Sequence, residues 1–224
     1  MACFRLLQRF AALWRRRRRS CAHVALSLSP GARPTVAKAA RLFVGLRSAD
    51  GFVGYKRLLG DDPLDRSIAA ALQSLPGAVS VDQYWQMVEE RNQYCQRFLS
   101  ALDAQRFDAL LCPPYALPAP THESSGALNV TNAGSYAILY NLLGFAAGVA
   151  PVTRVQPGEE SERSVGNDSL ERAAQAVEMN SAGLPVGVQV AARPWREDIV
   201  LALMEALEEK TAVGMPIWKD SQFA

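Results

Sequence analysis

The chain has 224 residues, of which 49% are hydrophobic and 21% are charged, and its formal net charge is +2. This length and composition are typical of a globular domain with a hydrophobic core. The small net charge gives no general attraction to nucleic acid, so no nucleic-acid partner is predicted, and no apolar run is long enough to span a bilayer.

Residues 1–34 form a basic leader that differs from the rest of the chain. Four apolar residues recur in it at helical spacing: Phe4, Leu7, Ala11 and Trp14. Consecutive arginines at 15–19 follow them, and the first acidic residue is Asp50. The leader could be disordered, a basic amphipathic helix on an anionic membrane surface, or an arginine-rich transit peptide. These interpretations predict a cytoplasmic or membrane-associated protein, with a mitochondrial location as the alternative.

Short helices broken by glycines are predicted over residues 35–75. Gly51 and Gly54 interrupt the helical pattern, and Asp62 opens a further helix over 64–72. The many apolar residues of this region are expected to pack as ordinary helices.

A long helix is predicted over residues 81–104. Ser80 can cap this helix, and its broad apolar face, which includes Trp85, is typical of a helix packed in the core. A short buried strand is predicted at 109–112. The proline-rich loop that follows, 113–120, cannot form a central strand.

The C-terminal third joins helical patterns to short apolar strands. A helix is predicted over 135–143 and a strand over 149–155. A polar loop then leads to a helix over 169–179, and a β-branched strand at 186–190 precedes a helical stripe at 199–207. Because strand, short loop and helix form the unit of an α/β sheet, the predicted fold class is α/β, with a mixed sheet flanked by helices.

Three segments of this region carry a resemblance: DALLCPP at 108–114, LYNLLGFAAGVAPVTRV at 139–155, and GLPVGVQV at 183–190. Over about residues 80–210 the chain resembles the amidase signature family. The resemblance implies that residues 35–224 are a partial amidase-signature domain, the C-terminal portion of the family's mixed sheet. It also implies the family reaction, hydrolysis of a carboxamide, with a lipid amide such as a fatty acid amide as the candidate substrate.

Catalysis in that family uses two serines and a lysine, and a Gly-Ser-Ser-Gly-Gly region marks the nucleophile. This sequence contains no such region, and none of its lysines stands in a family-like context. The nearest match, Ser124-Ser125-Gly126, follows Glu123 and has no glycine in front of it. We therefore predict no catalytic residue in this chain.

Other catalytic and ligand-binding patterns are also missing from the sequence. The two histidines, His23 and His122, lie in the basic leader and in a polar loop, with no nucleophile elbow. The cysteines have no metal-ligand spacing, which favours free thiols in a reducing compartment: Cys3, Cys21, Cys95 and Cys112. Neither a cofactor nor a metal site is predicted.

Substrate contact is the role that the resemblance leaves to this chain. Thr131, Gly134 and Ile138 match positions that line the acyl channel in family members that act on lipid amides. The alternative for Ile138 is a core position on the helix over 135–143. The resemblance also implies that the helices of 35–75 form a cap that dips into the membrane, while Trp195 is expected to be a packing anchor.

Three functional hypotheses follow. The chain is a truncated amidase-family hydrolase without its catalytic region, a non-catalytic module that binds a membrane surface or a partner, or one half of a split hydrolase whose catalytic half is another polypeptide. A partial sheet would also leave a strand edge unpaired, which predicts self-association.

Overall fold

The computed structural model describes residues 24–26, 36–60, 62–63, 69, 77–125, 134–161 and 168–211. Over these ranges the helices and strands follow one another in this order: β1 (Val24–Leu26), α1 (Val36–Ser48), α2 (Val53–Leu59), α3 (Val81–Gln105), β2 (Ala109–Cys112), α4 (His122–Ser125), α5 (Ser135–Leu143), β3 (Ala146–Arg154), α6 (Ser169–Glu178), β4 (Pro185–Ala192) and α7 (Glu197–Thr211). A 3₁₀ turn at Glu159–Ser161 lies between β3 and α6.

The strands form a mixed sheet in the order β1-β2-β4-β3. Strand β1 runs parallel to β2, whereas β4 is antiparallel to both of its neighbours, β2 and β3. Helices lie on both faces of this sheet, which confirms the predicted α/β class.

Helix α7 covers one face of the sheet. Since side chains alternate along a strand, Val188 and Val190 of β4 point to this face and pack with Val200, Leu203 and Leu207 of the helix. Gly148 of β3 lets the helix approach closely, because a Cβ there would overlap Met204 Sδ and lie 3.1 Å from Val200 Cγ1.

Helices α1, α3 and α5 cover the opposite face. Their buried side chains form a second cluster with one residue each from β2 and β4: Ala39, Leu42, Tyr94, Phe98, Leu102, Leu110, Leu139, Tyr140, Leu142, Leu143 and Ala191. Arg91 joins two of the helices, since its Nε donates a 2.8 Å hydrogen bond to the Leu142 carbonyl near the end of α5. This layer positions α5 over the sheet.

Strand β1 lies within the basic leader of the sequence analysis. Val24–Leu26 pairs with Ala109–Leu111 of β2, so these three residues extend the sheet. The leader is therefore not separate from the rest of the chain at this point, which the sequence analysis did not predict. The boundary at residue 34 stays a prediction.

The region after α1 differs from the prediction in two respects. Gly51 interrupts the helices as predicted, with a φ of 64°, but Gly54 lies inside α2. No residue of α2 is buried, and Leu58 is 85% exposed, so ordinary interior packing is wrong for this helix. Most of the helix predicted over 64–72 lies outside the described residues.

Helix α3 follows the prediction closely at its start. Ser80 forms a capping box with Gln83. Its second half is core, with Tyr94 and Phe98 buried, but in its first half Trp85 is 61% exposed. The expectation that the whole aromatic stripe packs inside is therefore wrong.

Trp195 is not the packing anchor that was expected. It is 89% exposed, and its φ of 66° places it in the left-handed region. The turn between β4 and α7 thus directs this ring to solvent.

None of the described helices is long and apolar enough to cross a membrane.

Candidate substrate-facing surface

The face of the sheet that carries α5 is covered over its middle strands and bare at the β3 end. Leu110 of β2 and Ala191 of β4 are buried beneath the helices. Ala147, which pairs with Ala191, is exposed, and Val149 is 48% exposed. We call the bare area formed by Ala147 and Val149 the open face; Gln189, which adjoins it, is buried.

Strand pairing sets three chemically different residues in one row at the open face. Cys112 of β2 pairs with Gln189 of β4, which pairs with Val149 of β3. Since Val188 and Val190 point to α7, Gln189 points to the α5 side of the sheet. The row therefore brings a thiol, a carboxamide and an apolar side chain together.

Gly187 holds the next position of β4 on the same face. A Cβ at Gly187 would lie 2.7 Å from Val149 Cγ1 and 3.7 Å from Pro114 Cγ. The absence of a side chain thus lets the proline-rich loop after β2 and the side chain of β3 converge over β4. The segment GLPVGVQV contributes Gly187 and Gln189 to this region.

The predicted channel residues lie at the start of α5. Gly134 precedes the helix, and a Cβ there would lie 3.3 Å from Cε2 of Tyr115, so the tyrosine ring packs against the glycine. Ile138 is half-buried and belongs to neither hydrophobic cluster of the described residues, which argues against the core alternative. Thr131 lies outside the described residues. The contact of these positions with substrate stays a prediction.

Cys112 and Tyr140 connect the open face to α5. Burial raises the pKa of the Tyr140 phenol well above its usual value, and a hydrogen bond with the Cys112 thiol acts in the same direction. The other described thiol, Cys95, lies on α3, where burial raises its pKa. A raised pKa lowers the fraction of reactive thiolate at Cys95.

The serine pair of the sequence analysis lies in the short helix α4. The Ser124 hydroxyl lies 3.0 Å from Thr121 Oγ1 and 3.2 Å from the Thr121 carbonyl oxygen. These bonds belong to a local turn. The side chain of Ser125 and the whole of Gly126 lie outside the described residues.

Gln189, Val149 and Tyr115 are the residues at or beside this surface that sequence reasoning missed. The sequence pattern indicates Gln189, because it is the polar residue in an otherwise apolar strand segment, VGVQVAA. Such a residue faces either solvent or a polar partner. Among the residues that the structure describes, no group of three or more His, Cys, Asp or Glu could hold a metal ion.

Residues 52–201 match the sequence model of the Amidase family. Because the match covers more than half of the 224 residues, the chain belongs to this family. The match begins well before residue 80, where the resemblance was placed, and includes α2 and the exposed start of α3.

Two relatives of the chain are fatty acid amide hydrolases. The chain is 37% identical over 119 residues to fatty acid amide hydrolase 1 of Caenorhabditis elegans, an alignment that covers 51% of this chain and 20% of that protein. It is 32% identical over 156 residues to fatty-acid amide hydrolase 1 of Sus scrofa, covering 68% of this chain and 26% of the relative. The chain thus spans about a quarter of these relatives or less.

A solved structure of fatty acid amide hydrolase has the same fold. The TM-score is 0.65 at 21% identity, with 79% of this chain and 32% of that chain covered. At this identity the likeness supports the fold, which agrees with the mixed sheet and its flanking helices.

Proposed function

We propose that residues 35–224 are a partial amidase domain that supplies one wall of a lipid-amide site and does not hydrolyse the amide alone. The open face is the observation that carries this proposal. Sheets of α/β proteins are normally covered on both faces, yet Ala147 and Val149 are exposed beside the covered strands. An apolar surface of this kind suits the acyl chain of a ligand.

The names of the relatives support a lipid amide as the ligand. The two relatives described above are named for fatty acid amides. By resemblance, Thr131, Gly134 and Ile138 are the positions that we assign to contact with the acyl chain. Because the chain spans 20% and 26% of these proteins, their activity is carried to it only as a proposal.

Hydrolysis needs catalytic groups in addition to a surface that binds the substrate. It requires a nucleophile within reach of a base, and donors for the oxyanion. The sequence has no Gly-Ser-Ser-Gly-Gly region, and the hydrogen bonds of Ser124 go to Thr121 in its own turn. Binding without stabilisation of the transition state does not accelerate the reaction.

The purified chain is expected to show no turnover of a long-chain fatty amide or of an activated ester, and no labelling by a fluorophosphonate. The variants Ser124→Ala and Ser125→Ala serve as matched controls. Amide turnover that either substitution abolishes would make the serine pair a catalytic site and refute the proposal. Ester turnover that neither variant changes identifies a contaminant or nonspecific surface catalysis.

Complementation separates a split hydrolase from a chain without a catalytic partner. The pig relative without the segment that this chain matches is co-expressed with the chain, and the two are co-purified. Amide turnover by the mixture, with no turnover by either polypeptide by itself, would show that the open face accepts a catalytic polypeptide. No co-purification would favour the binding module.

A second candidate function, attachment to a membrane surface, is favoured by helix α2, which has no buried residue. Helix α2 exposes Val53 and Leu58 beside the exposed basic residues Lys56 and Arg57. A hydrogen bond from the Val79 amide to the Ala49 carbonyl brings the start of α3 to the same region. Apolar and basic side chains together suit the interface of an anionic membrane.

The basic leader is expected to strengthen this attachment. Because Val24–Leu26 belongs to the sheet, the test variant must keep these residues. It therefore replaces the five arginines of 15–19 by glutamine and keeps the rest of the leader. Each arginine near an anionic surface contributes about 1 kcal/mol, and salt screens this attraction. Co-sedimentation with vesicles that contain phosphatidylserine should therefore fall in the variant and at high salt. Equal, salt-independent binding by both proteins would contradict the idea.

A further inference from the structure

The outer face of α7 is exposed and acidic. Val200, Leu203 and Leu207 hold the inner face of this helix against the sheet. The residues that recur at helical spacing on the outer face are all exposed, and we call them the acidic stripe: Glu197, Leu201, Glu205, Glu208 and Glu209. An exposed leucine among four glutamates marks a helix face that no described element covers.

The glutamates of the acidic stripe form no ion pair with any basic side chain that the structure describes. Glu205 instead has Glu208 and Glu209 at i+3 and i+4, a spacing at which like charges destabilise a helix. A cationic segment bound here would relieve this repulsion, and long aliphatic stems on that segment would cover Leu201.

Strand β1 brings the basic leader to the end of the sheet where α7 begins. Val24, Ala109 and Ala192 pair in one row, and β1 runs parallel to β2. The chain that precedes Val24 therefore leaves the sheet at the end of β4, from which a four-residue loop leads to α7. Two strand spacings, about 10 Å, separate β1 from β4.

The arginine run of the leader is long enough to cross this separation. Residues 15–19 are five consecutive arginines, and residues 20–23, which like them lie outside the described residues, connect them to β1. Four residues span up to about 14 Å, so the arginines can reach the start of α7. There the 89% exposed Trp195 offers an aromatic face on which guanidinium groups stack. No acidic residue precedes Asp50, so the leader presents only positive charge.

We propose that arginines 15–19 dock on the acidic stripe of α7 in the same chain. Arginine suits this role, because its guanidinium donates paired hydrogen bonds to a carboxylate while its aliphatic stem packs on an apolar neighbour such as Leu201. The contact needs neither the lipid-amide site nor a membrane, so it does not depend on the proposed function. An arginine held by α7 is withheld from an anionic surface, and docking therefore competes with membrane attachment.

Disulfide trapping in the full chain tests the docking. One variant combines Arg17→Cys with Leu201→Cys. The matched control combines Arg17→Cys with Leu170→Cys, since Leu170 is 48% exposed on α6, which precedes the opposite end of β4. With oxidised glutathione in low salt, the intrachain disulfide from position 17 should form about tenfold faster with position 201 than with position 170, because docking raises the effective concentration of the thiol at α7. High salt should remove this difference, since it screens exposed charges.

Neutral variants of the acidic stripe measure the electrostatic share of the trapping. Three glutamates are replaced in the variant that carries thiols at 17 and 201: Glu205→Gln, Glu208→Gln and Glu209→Gln. Loss of three exposed ion pairs should slow trapping about fivefold. The matched control removes three exposed acidic charges elsewhere and should leave the rate unchanged: Asp62→Asn, Asp82→Asn and Glu89→Gln. Because glutamine removes the repulsion and keeps a high helix propensity, the stripe variant should melt no lower than its parent.

Equal trapping at positions 201 and 170 would refute the docking, as would a trapping rate that the three glutamines leave unchanged. A disulfide between two chains, seen as a covalent dimer, would show that the stripe receives the leader of a second copy and would overturn the contact within one chain. All of these measurements are made without lipid or substrate, so the docking and the proposed function can fail separately.

Discussion

Substitution of Gly148 by valine is expected to lower the free energy of unfolding by about 3 kcal/mol, the upper part of the range for overpacked cores. A Cβ at this position would overlap Met204 Sδ and lie 3.1 Å from Val200 Cγ1, and valine adds two methyl groups to that Cβ. Met204 is flexible and can move, but Val200 is β-branched and buried against the sheet. Helix α7 would therefore have to shift, which exposes the core that it covers.

Urea denaturation of the wild type, Gly148→Val and two further variants measures this effect. Gly77→Val is the matched control, because nothing lies within 4 Å of a Cβ there. This change should stay within about 0.5 kcal/mol of the wild type. The double variant Gly148→Val, Met204→Ala should recover about 1 kcal/mol, because the two residues are in contact. If Gly148→Val unfolds at the same urea midpoint as the wild type, α7 does not pack as described.

Elements with strong local signals could be predicted from the sequence. Helix α5 matches its prediction, since Gly144 ends it with a φ of 68°, a conformation that glycine adopts readily. Strand β2 also matches, because its apolar run is followed by two prolines. Strand β1 was missed since its three residues lie in an arginine-rich leader, and their pairing with β2 is set by contacts distant in sequence.

The candidate site was predictable only in part, because tertiary packing decides which strand residues the helices cover. Alternation along β4 fixes which residues share a face, but no pattern shows that helices cover Ala191 and leave Val149 exposed. The same holds for Trp195, whose aromatic character favours burial while the left-handed turn points it to solvent.

In isolation the chain is expected to self-associate through the outer edge of β3. Among the described strands, β3 pairs only with β4, so no described strand takes up the backbone donors and acceptors of its other edge. Residues 146–150 carry no charge, and Pro151, which lacks an N–H, confines pairing to this stretch. Two copies paired antiparallel would form a symmetric dimer through the same edge of each.

Size-exclusion chromatography with light scattering over increasing protein concentration measures this association. Val149→Lys should raise the monomer fraction several-fold, because a lysine on an edge strand opposes pairing with a second copy that carries the same charge. Leu201→Lys is the matched control, since Leu201 is 64% exposed on α7, away from the edge. A sharp monomer at every concentration, with a cooperative melt at high temperature, would mean that the edge of β3 is protected within the chain. The open face beside that edge would then belong to a domain that is stable by itself.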